Sequence, residues 1–289
     1  MKKILSLALV FVMLVACIGM IASCGGEEKI IVNTNAYFAP FEYYDGTEIV
    51  GVDVEIMNKV GEKLGKKVVF ENTEFAVIID NVKAGEVCDA GAAGITITDQ
   101  RKEKVDFSIP YYTSVQYVIF NKDNADVVTK TVDGNEYIVW EALAGMSLGT
   151  QTDTTGWIYT DGEINATADN DYGYDGVLYG TNTELLNFDN AQLAADAIGK
   201  SVDVVIIDEL PAKYIVDNYS QYKCVPLYYS GETDADDAPV EEKYAICVTK
   251  GNTELLDAIN AVLEEMLVKD ANGQTEIEKL VMKHMGLDK

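Results

Sequence analysis

From Lys29 onward the apolar residues keep changing their period, and that alternation limits the fold more than any single motif. KIIVNTNA (29–36) reads as a strand that ends in polar residues. Val52, Ile56, Met57, Val60 and Leu64 then recur at helical spacing, with Gly65 as a stop signal. KKVVFEN (66–72) is strand-like and FAVIIDNVKAG (75–85) is helical up to Gly85, while DAGAAGITIT (89–98) is strand-like but rich in small residues. Repeated strand–helix–strand units imply an α/β fold with largely parallel sheets.

A second cycle follows. Residues 145–149 read as a strand, TQTDTTG (150–156) as the polar loop after it, and 156–184 as mostly loop. NAQLAADAIG (190–199) is a capped helix with Gly at its end. VDVVIID (202–208) is apolar enough to be buried on both faces, and a helix over 209–219 carries Pro211 in its first turn. After an acidic loop (230–242) come a strand over 243–251 and a helical face of Leu255, Leu256, Ile259, Val262, Leu263, Met266 and Leu267. A last helix is expected at about 275–285. Two cycles in 289 residues suggest two lobes. A chain that leaves one lobe, builds the other and returns crosses twice, and PYYTSV (110–115) and VEEKYAI (240–246) are the candidate crossings.

Lys and Arg total 22 against 48 Asp and Glu, a formal net charge of −26. Such a surface repels phosphates, which argues against a nucleic-acid partner and against docking on anionic lipid heads. The N-terminus reads as an export signal: Lys2 and Lys3, then an apolar run from Ile4 to Ser23. IASC, ending at Cys24, resembles a bacterial lipobox, in which the Cys is lipidated and becomes the new N-terminus. LVAC, ending at Cys17, fits the same pattern, but the apolar residues after it make a poorer tether than the Gly-Gly-Glu-Glu after Cys24. An uncleaved signal anchor is the alternative. Acyl chains at Cys24 would tie the protein to the lipid bilayer. Cys88, Cys224 and Cys247 remain; the last two, in strand-like runs, are open to pairing or to staying free thiols. There is no CxxC, and His284 is the only histidine, so no metal, cofactor or catalytic residue is expected.

In α/β sheets ligands bind beyond the carboxyl ends of the strands, and here several such ends run into polar loops. One carries Arg101, the only arginine beside 21 lysines. A guanidinium fork can pair with a carboxylate through two parallel hydrogen bonds, which an ammonium cannot copy. Gly94 and Thr96 just before it offer close backbone approach and a hydroxyl. A surface ion pair with Asp99 or Glu103 is the alternative, and the spacing leaves both open. Asp208 ends the apolar strand. It can accept from a ligand ammonium, but a helix N-cap ahead of Glu209 is the simpler use for an Asp there. Phe38, Phe41, Tyr43 and Phe75 all suit a core, and Phe38, in the loop after the first strand, can instead stack on a ligand. Thr152, Thr154 and Thr155 make an anion cradle if a helix starts near them, although Asp153 among them opposes an anion.

Taken together, NAYFAPFEYYDGTEIVGVDVEIMNKVGEKLGKKVVFENTEF and GITITDQR…VDFSIPYYTS resemble the first lobe of type II extracytoplasmic solute-binding proteins (family 3) of amino-acid ABC transporters. GTQTDTTG, VDVVIIDELPA and EKYAICVTKGN match weaker signatures further on; residues 156–184 show little similarity. The resemblance implies a two-lobed periplasmic-binding-protein type II fold: residues 1–23 as signal peptide, 24–29 as lipidated Cys24 and tether, 30–111 and 243–289 as lobe 1, and 112–242 as lobe 2. It implies that Arg101 clamps a ligand α-carboxylate with Gly94 and Thr96, and that Asp208 binds the α-ammonium. Phe38 and Phe75 would pack on the ligand, with Asn35, Gln151, Thr154 and Thr155 completing the site. It further implies a monomer on the outer face of the cell membrane that hands a free amino acid to an ABC permease. Two departures stand out. Asn35 replaces the usual Asp of the first loop, which favours a polar or neutral ligand side chain, and Asp153 replaces a usual Gly. A dehydratase-type cleft enzyme and a sensory amino-acid receptor are the rival readings.

Overall fold

A computed structural model of the chain describes residues 28–167 and 173–287. The export signal and Cys24 lie outside the described residues. Lys29–Thr34 pairs in parallel with Lys67–Asn72 on one side and with Ala90–Gly91 on the other. Cys247–Val248 and Asp106–Phe107 extend this sheet antiparallel to five strands, so residues from late in the chain complete a sheet begun near its start. The helix Val52–Leu64 buries Val52, Ile56, Met57 and Val60, the face that the helical spacing marked, against Ile259, Val262 and Leu263 of the helix Thr253–Met266. Each such fully buried aliphatic side chain contributes about 1.5–3 kcal/mol. Gly65 ends the first of these helices at φ 66°, a left-handed conformation that costs glycine little. Phe75–Ala84 covers the other face with Ile78 and Val82.

The second sheet has seven strands. Val204–Asp208 runs through its interior and is buried at every residue, as its unbroken apolar run requires. It lies parallel to Ser147–Gln151 and antiparallel to Gln116–Asn121. The sheet is therefore mixed: the strand that leaves the first crossing runs against its neighbours on both sides.

The two crossings meet. Tyr112–Ser114 and Glu242–Tyr244 pair antiparallel, in register Ser114↔Glu242 and Tyr112↔Tyr244, as a two-stranded ribbon between the larger sheets.

Several local expectations change. In 89–98 only Ala90–Gly91 forms strand, because Gly94 at φ 53° turns the chain and Thr96 keeps just one bridge, to Tyr244. The expected strand 243–251 is two pieces, Glu242–Tyr244 and Cys247–Val248, since it changes sheet between them. Residues 156–184 are not all loop: Thr155–Asn165 is helical, capped by the Thr154 side chain, while 166 and 173–183 are loop and turn as expected. Residues 37–50 form an unexpected three-stranded meander, whose second turn places Gly46 at φ 63°. Cys88, Cys224 and Cys247 are all free, and the last two stand in different sheets.

Candidate functional site

Arg101 owes its position to the residues just before it. Thr98 caps the short helix Asp99–Lys102, its hydroxyl oxygen accepting the Arg101 N–H at 3.1 Å. The Arg101 side chain then turns inward: Nη1 donates to the Thr96 carbonyl at 2.8 Å and Nη2 to the Asp153 carbonyl at 2.8 Å. Its guanidinium carbon lies 5.4 Å from the centre of the Phe75 ring. Arg101 is only 8% exposed, and Asp99 pairs with Lys102 instead, which removes the surface-pair alternative for Asp99. Burial lowers the guanidinium's proton affinity; the charge of Glu242 acts the other way.

Gly94 is needed for two reasons. Its φ of 53° disfavours other residues, and a Cβ there would sit 2.7 Å from the Phe38 ring. Its N–H donates to Asp53 Oδ2 at 3.0 Å, while Tyr111 donates its hydroxyl to Asp53 Oδ1 at 2.5 Å. Asp53 is almost wholly buried in the first turn of Val52–Leu64, and burial raises its pKa to about 6 despite those two donors.

Asp208 occupies the N-cap position of the helix Glu209–Asn218, but its side chain caps nothing. The simpler expectation from spacing is overturned, because a stronger donor competes. Tyr244, in the ribbon, gives its hydroxyl to Asp208 Oδ1 at 2.5 Å. Burial first, and the charge of Glu242 second, hold the Asp208 pKa well above the usual carboxylate range.

Across the cavity, the helix Thr155–Asn165 begins where the anion cradle requires. Thr154 Oγ1 accepts the Trp157 N–H at 3.3 Å and donates to the Gln151 carbonyl at 2.8 Å. Asp153 stands at φ 60°, the left-handed conformation that suits a Gly, and it is its backbone carbonyl that meets Arg101. Gln151 donates through Nε2 to Asn35 Oδ1 at 3.1 Å, and Asn35 Nδ2 donates to the Thr73 carbonyl at 2.7 Å.

All ten ligand-site residues expected from the sequence line one cavity, whose free volume is only about 10 Å³ with its walls in contact. The groups on its walls come from both large sheets and already touch across it, through Arg101 with Asp153 and Gln151 with Asn35.

Two acids escaped the sequence reading. Glu242, 1% exposed in the ribbon, accepts Thr96 Oγ1 at 3.0 Å and Thr155 Oγ1 at 2.8 Å on Oε2, and Gln116 Nε2 at 3.0 Å on Oε1. One carboxylate thus holds hydroxyls from both sides of the cavity. Nothing local marks it, because it ends an acidic loop that reads as surface. Glu42, in the meander strand Glu42–Asp45, lines the cavity and is fully buried. Its signal was the Asp45-Gly46 pair, a hairpin turn that would have made the preceding residues a strand.

Among characterised proteins, the arginine-binding extracellular protein ArtP of Bacillus subtilis (strain 168) is 29% identical over 260 residues, covering 89% of this chain and 86% of its own. An ancestral arginine-binding protein solved with arginine superposes with a TM-score of 0.69 at 28% identity, over 89% of this chain and 98% of that one. An ancestral arginine-binding protein solved with glutamine gives 0.68 at 29% identity, over 90% and 99%. Residues 30–285 match a single family throughout, and the chain belongs to it: the bacterial extracellular solute-binding proteins, family 3.

Proposed function

We propose that the cavity binds one free amino acid by its two charged ends, and that the protein delivers it to an ABC permease. Arg101 takes the α-carboxylate and Asp208 the α-ammonium, while Thr96, Thr154 and Thr155 supply hydroxyls and Phe38 and Phe75 the apolar walls. The observation that carries this reading is a buried guanidinium, on the short helix Asp99–Lys102, and a buried carboxylate, at the end of strand Val204–Asp208, lining the same small cavity. Removed from water, each charge is costly without a partner, and a zwitterion supplies both partners at once. The arginine and glutamine held by the similar structures support the same class of ligand.

Residues 30–111 with 243–289 make one lobe in this reading and 112–242 the other, with the ribbon of 112–114 and 242–244 as the hinge. The hinge opens to admit the ligand and closes to bury both ion pairs. The protein works as a monomer, held on the outer face of the membrane through Cys24. It is a receptor and not an enzyme, so ligand recovered after prolonged incubation is unchanged.

The test is calorimetry of the purified protein with free amino acids, beside Arg101→Lys. Loss of a two-bond carboxylate clamp, at about 3 kcal/mol, weakens binding by roughly 100-fold while the circular dichroism spectrum stays the same. Equal affinity in the variant would remove Arg101 from the site.

A further inference from the structure

A ring pair outside the cavity also joins the two lobes. Tyr43, in the meander strand Glu42–Asp45, packs against Tyr214 of the helix Glu209–Asn218, with ring centres 5.9 Å apart. Among the described residues, the other ring contacts between the lobes all run through Tyr112 of the ribbon. Tyr43 and Tyr214 line a surface groove with Tyr37, Tyr44 and Pro211, and no residue of that groove also lines the cavity. Both are nevertheless tied to the cavity through the chain. Strand alternation sends Glu42 into the cavity and its neighbour Tyr43 to the opposite face. Tyr214 rides on the helix that starts just after Asp208.

The chain's single histidine holds Tyr43 in place. The Tyr43 hydroxyl lies 3.1 Å from His284 Nδ1, and the imidazole meets the Tyr43 ring edge-on at 5.8 Å. His284 Nε2 lies 3.0 Å from Glu55 Oε1. A carboxylate only accepts, so Nε2 carries the hydrogen, Nδ1 keeps its lone pair and the Tyr43 hydroxyl donates to it. Burial first, then Tyr214, Asp45 and Glu55, raise the Tyr43 pKa, which keeps that hydroxyl protonated. The imidazole sits at the end of the helix Glu276–His284, which buries Ile277 and Leu280, and only 8% of its side chain is exposed. Glu55, His284 and Tyr43 thus form a chain within lobe 1 that ends on Tyr214 of lobe 2. A hinge motion that keeps each lobe intact breaks only the last of these contacts.

We propose, resting on the two-lobe reading above, that Tyr43 latches the closed form against Tyr214 and that His284 is its positioning residue. The latch touches no ligand. It acts on how long the closed complex lasts, not on which ligand enters or how fast.

The common free amino acids are titrated into the purified protein by calorimetry, and the tightest binder becomes the probe for stopped-flow kinetics. Tyr43→Ala and Tyr214→Ala should each speed its dissociation about tenfold and leave association within about twofold. Together they should do no more than about twice what either does alone, because both remove one contact. Tyr43→Phe keeps the ring and loses the hydroxyl, for about fourfold faster dissociation. His284→Ala should match it and add less than about twofold in the Tyr43→Phe background. His284→Asn should restore the wild-type rate, since its amide oxygen can stand in for Nδ1. A purely structural role would lower the thermal stability of the ligand-free protein without this rescue and without coupling across the lobes.

Additive effects of Tyr43→Ala and Tyr214→Ala, or unchanged dissociation in either, overturn the proposal. Should Tyr43→Ala fail to fold, Tyr43→Phe and the His284 variants decide, and wild-type dissociation in them overturns it equally. A probe that binds through Arg101 and ignores every latch variant sinks this inference and keeps the amino-acid reading. No binding of any amino acid sinks both.

Discussion

At one end of the cavity Arg101 is held by groups that precede it closely: the Thr98 hydroxyl three residues away and the Thr96 carbonyl five away. At the other end Asp208 is held by Tyr244, 36 residues on, and Glu242 takes its donors from 87, 126 and 146 residues away. The first arrangement is largely a property of one loop, with the Asp153 carbonyl added from across the cavity. The second exists only when the ribbon brings both crossings together with both sheets. The cationic end is thus mostly local, with one hydrogen bond from the opposite wall, whereas the acidic end is assembled wholly from distant groups. A ligand ammonium then reports on closure more directly than a ligand carboxylate does.

The strongest way to break that comparison is Asp208→Asn. It removes the negative end and leaves the Arg101 loop intact, and binding should weaken about 100-fold or more, from roughly 3 kcal/mol. A loss below about fivefold would mean that Glu242 or Glu42, not Asp208, faces the ammonium.

Acidity probes the same end. The free site's Asp208 has a raised pKa, so it binds a proton more readily than a carboxyl in water does. That proton must leave before the ammonium pairs. Binding therefore releases protons and weakens as pH falls, by up to about tenfold per pH unit below the Asp208 pKa. The slope should flatten in Asp208→Asn; a slope that persists there belongs to another group.

Glu242→Gln sharpens the contrast between the two ends. An amide in its place keeps the size but loses the charge and one of the acceptor oxygens that Thr96, Thr155 and Gln116 share. A loss of about 1–2 kcal/mol, near tenfold in affinity, is expected, mostly through a slower or less complete closure. Small-angle scattering with and without ligand would show it, as a smaller compaction than in the wild type.

The smallest effect is predicted for Asp153→Gly. Arg101 meets the Asp153 carbonyl, not its side chain, so affinity should stay within about twofold. Relief of the left-handed backbone raises thermal stability by at most about 1 kcal/mol, because Gly also gains more freedom in the unfolded chain. A large loss of binding would give the Asp153 carboxylate a role that its geometry does not suggest.

Much of the architecture was legible in advance for a simple reason. Helix Val52–Leu64, helix Glu209–Asn218 and the buried strand Val204–Asp208 each carry their period and their stop signals within their own residues. Arg101 was legible too, as a lone guanidinium after a strand end with its own capping threonine. The meander that carries Glu42 was missed because its strands are short, and the one strong cue, Asp45-Gly46, lay inside an aromatic run that suits a core equally well. The N-cap expected of Asp208 failed because a helix start is a local matter, whereas the Tyr244 hydroxyl that displaces it comes from the far crossing.

What the amino-acid order determined alone was the α/β alternation, the two crossings and the loop that carries Arg101, since periodicity, capping and a nearby carbonyl all act within a few residues. Only the tertiary structure decided the acidic end: that Asp208 faces inward, that Glu242 joins both walls and that Glu42 is buried beside Asp53. Burial and charge repulsion depend on which distant groups share one small, water-poor space, and no local stretch of sequence specifies that.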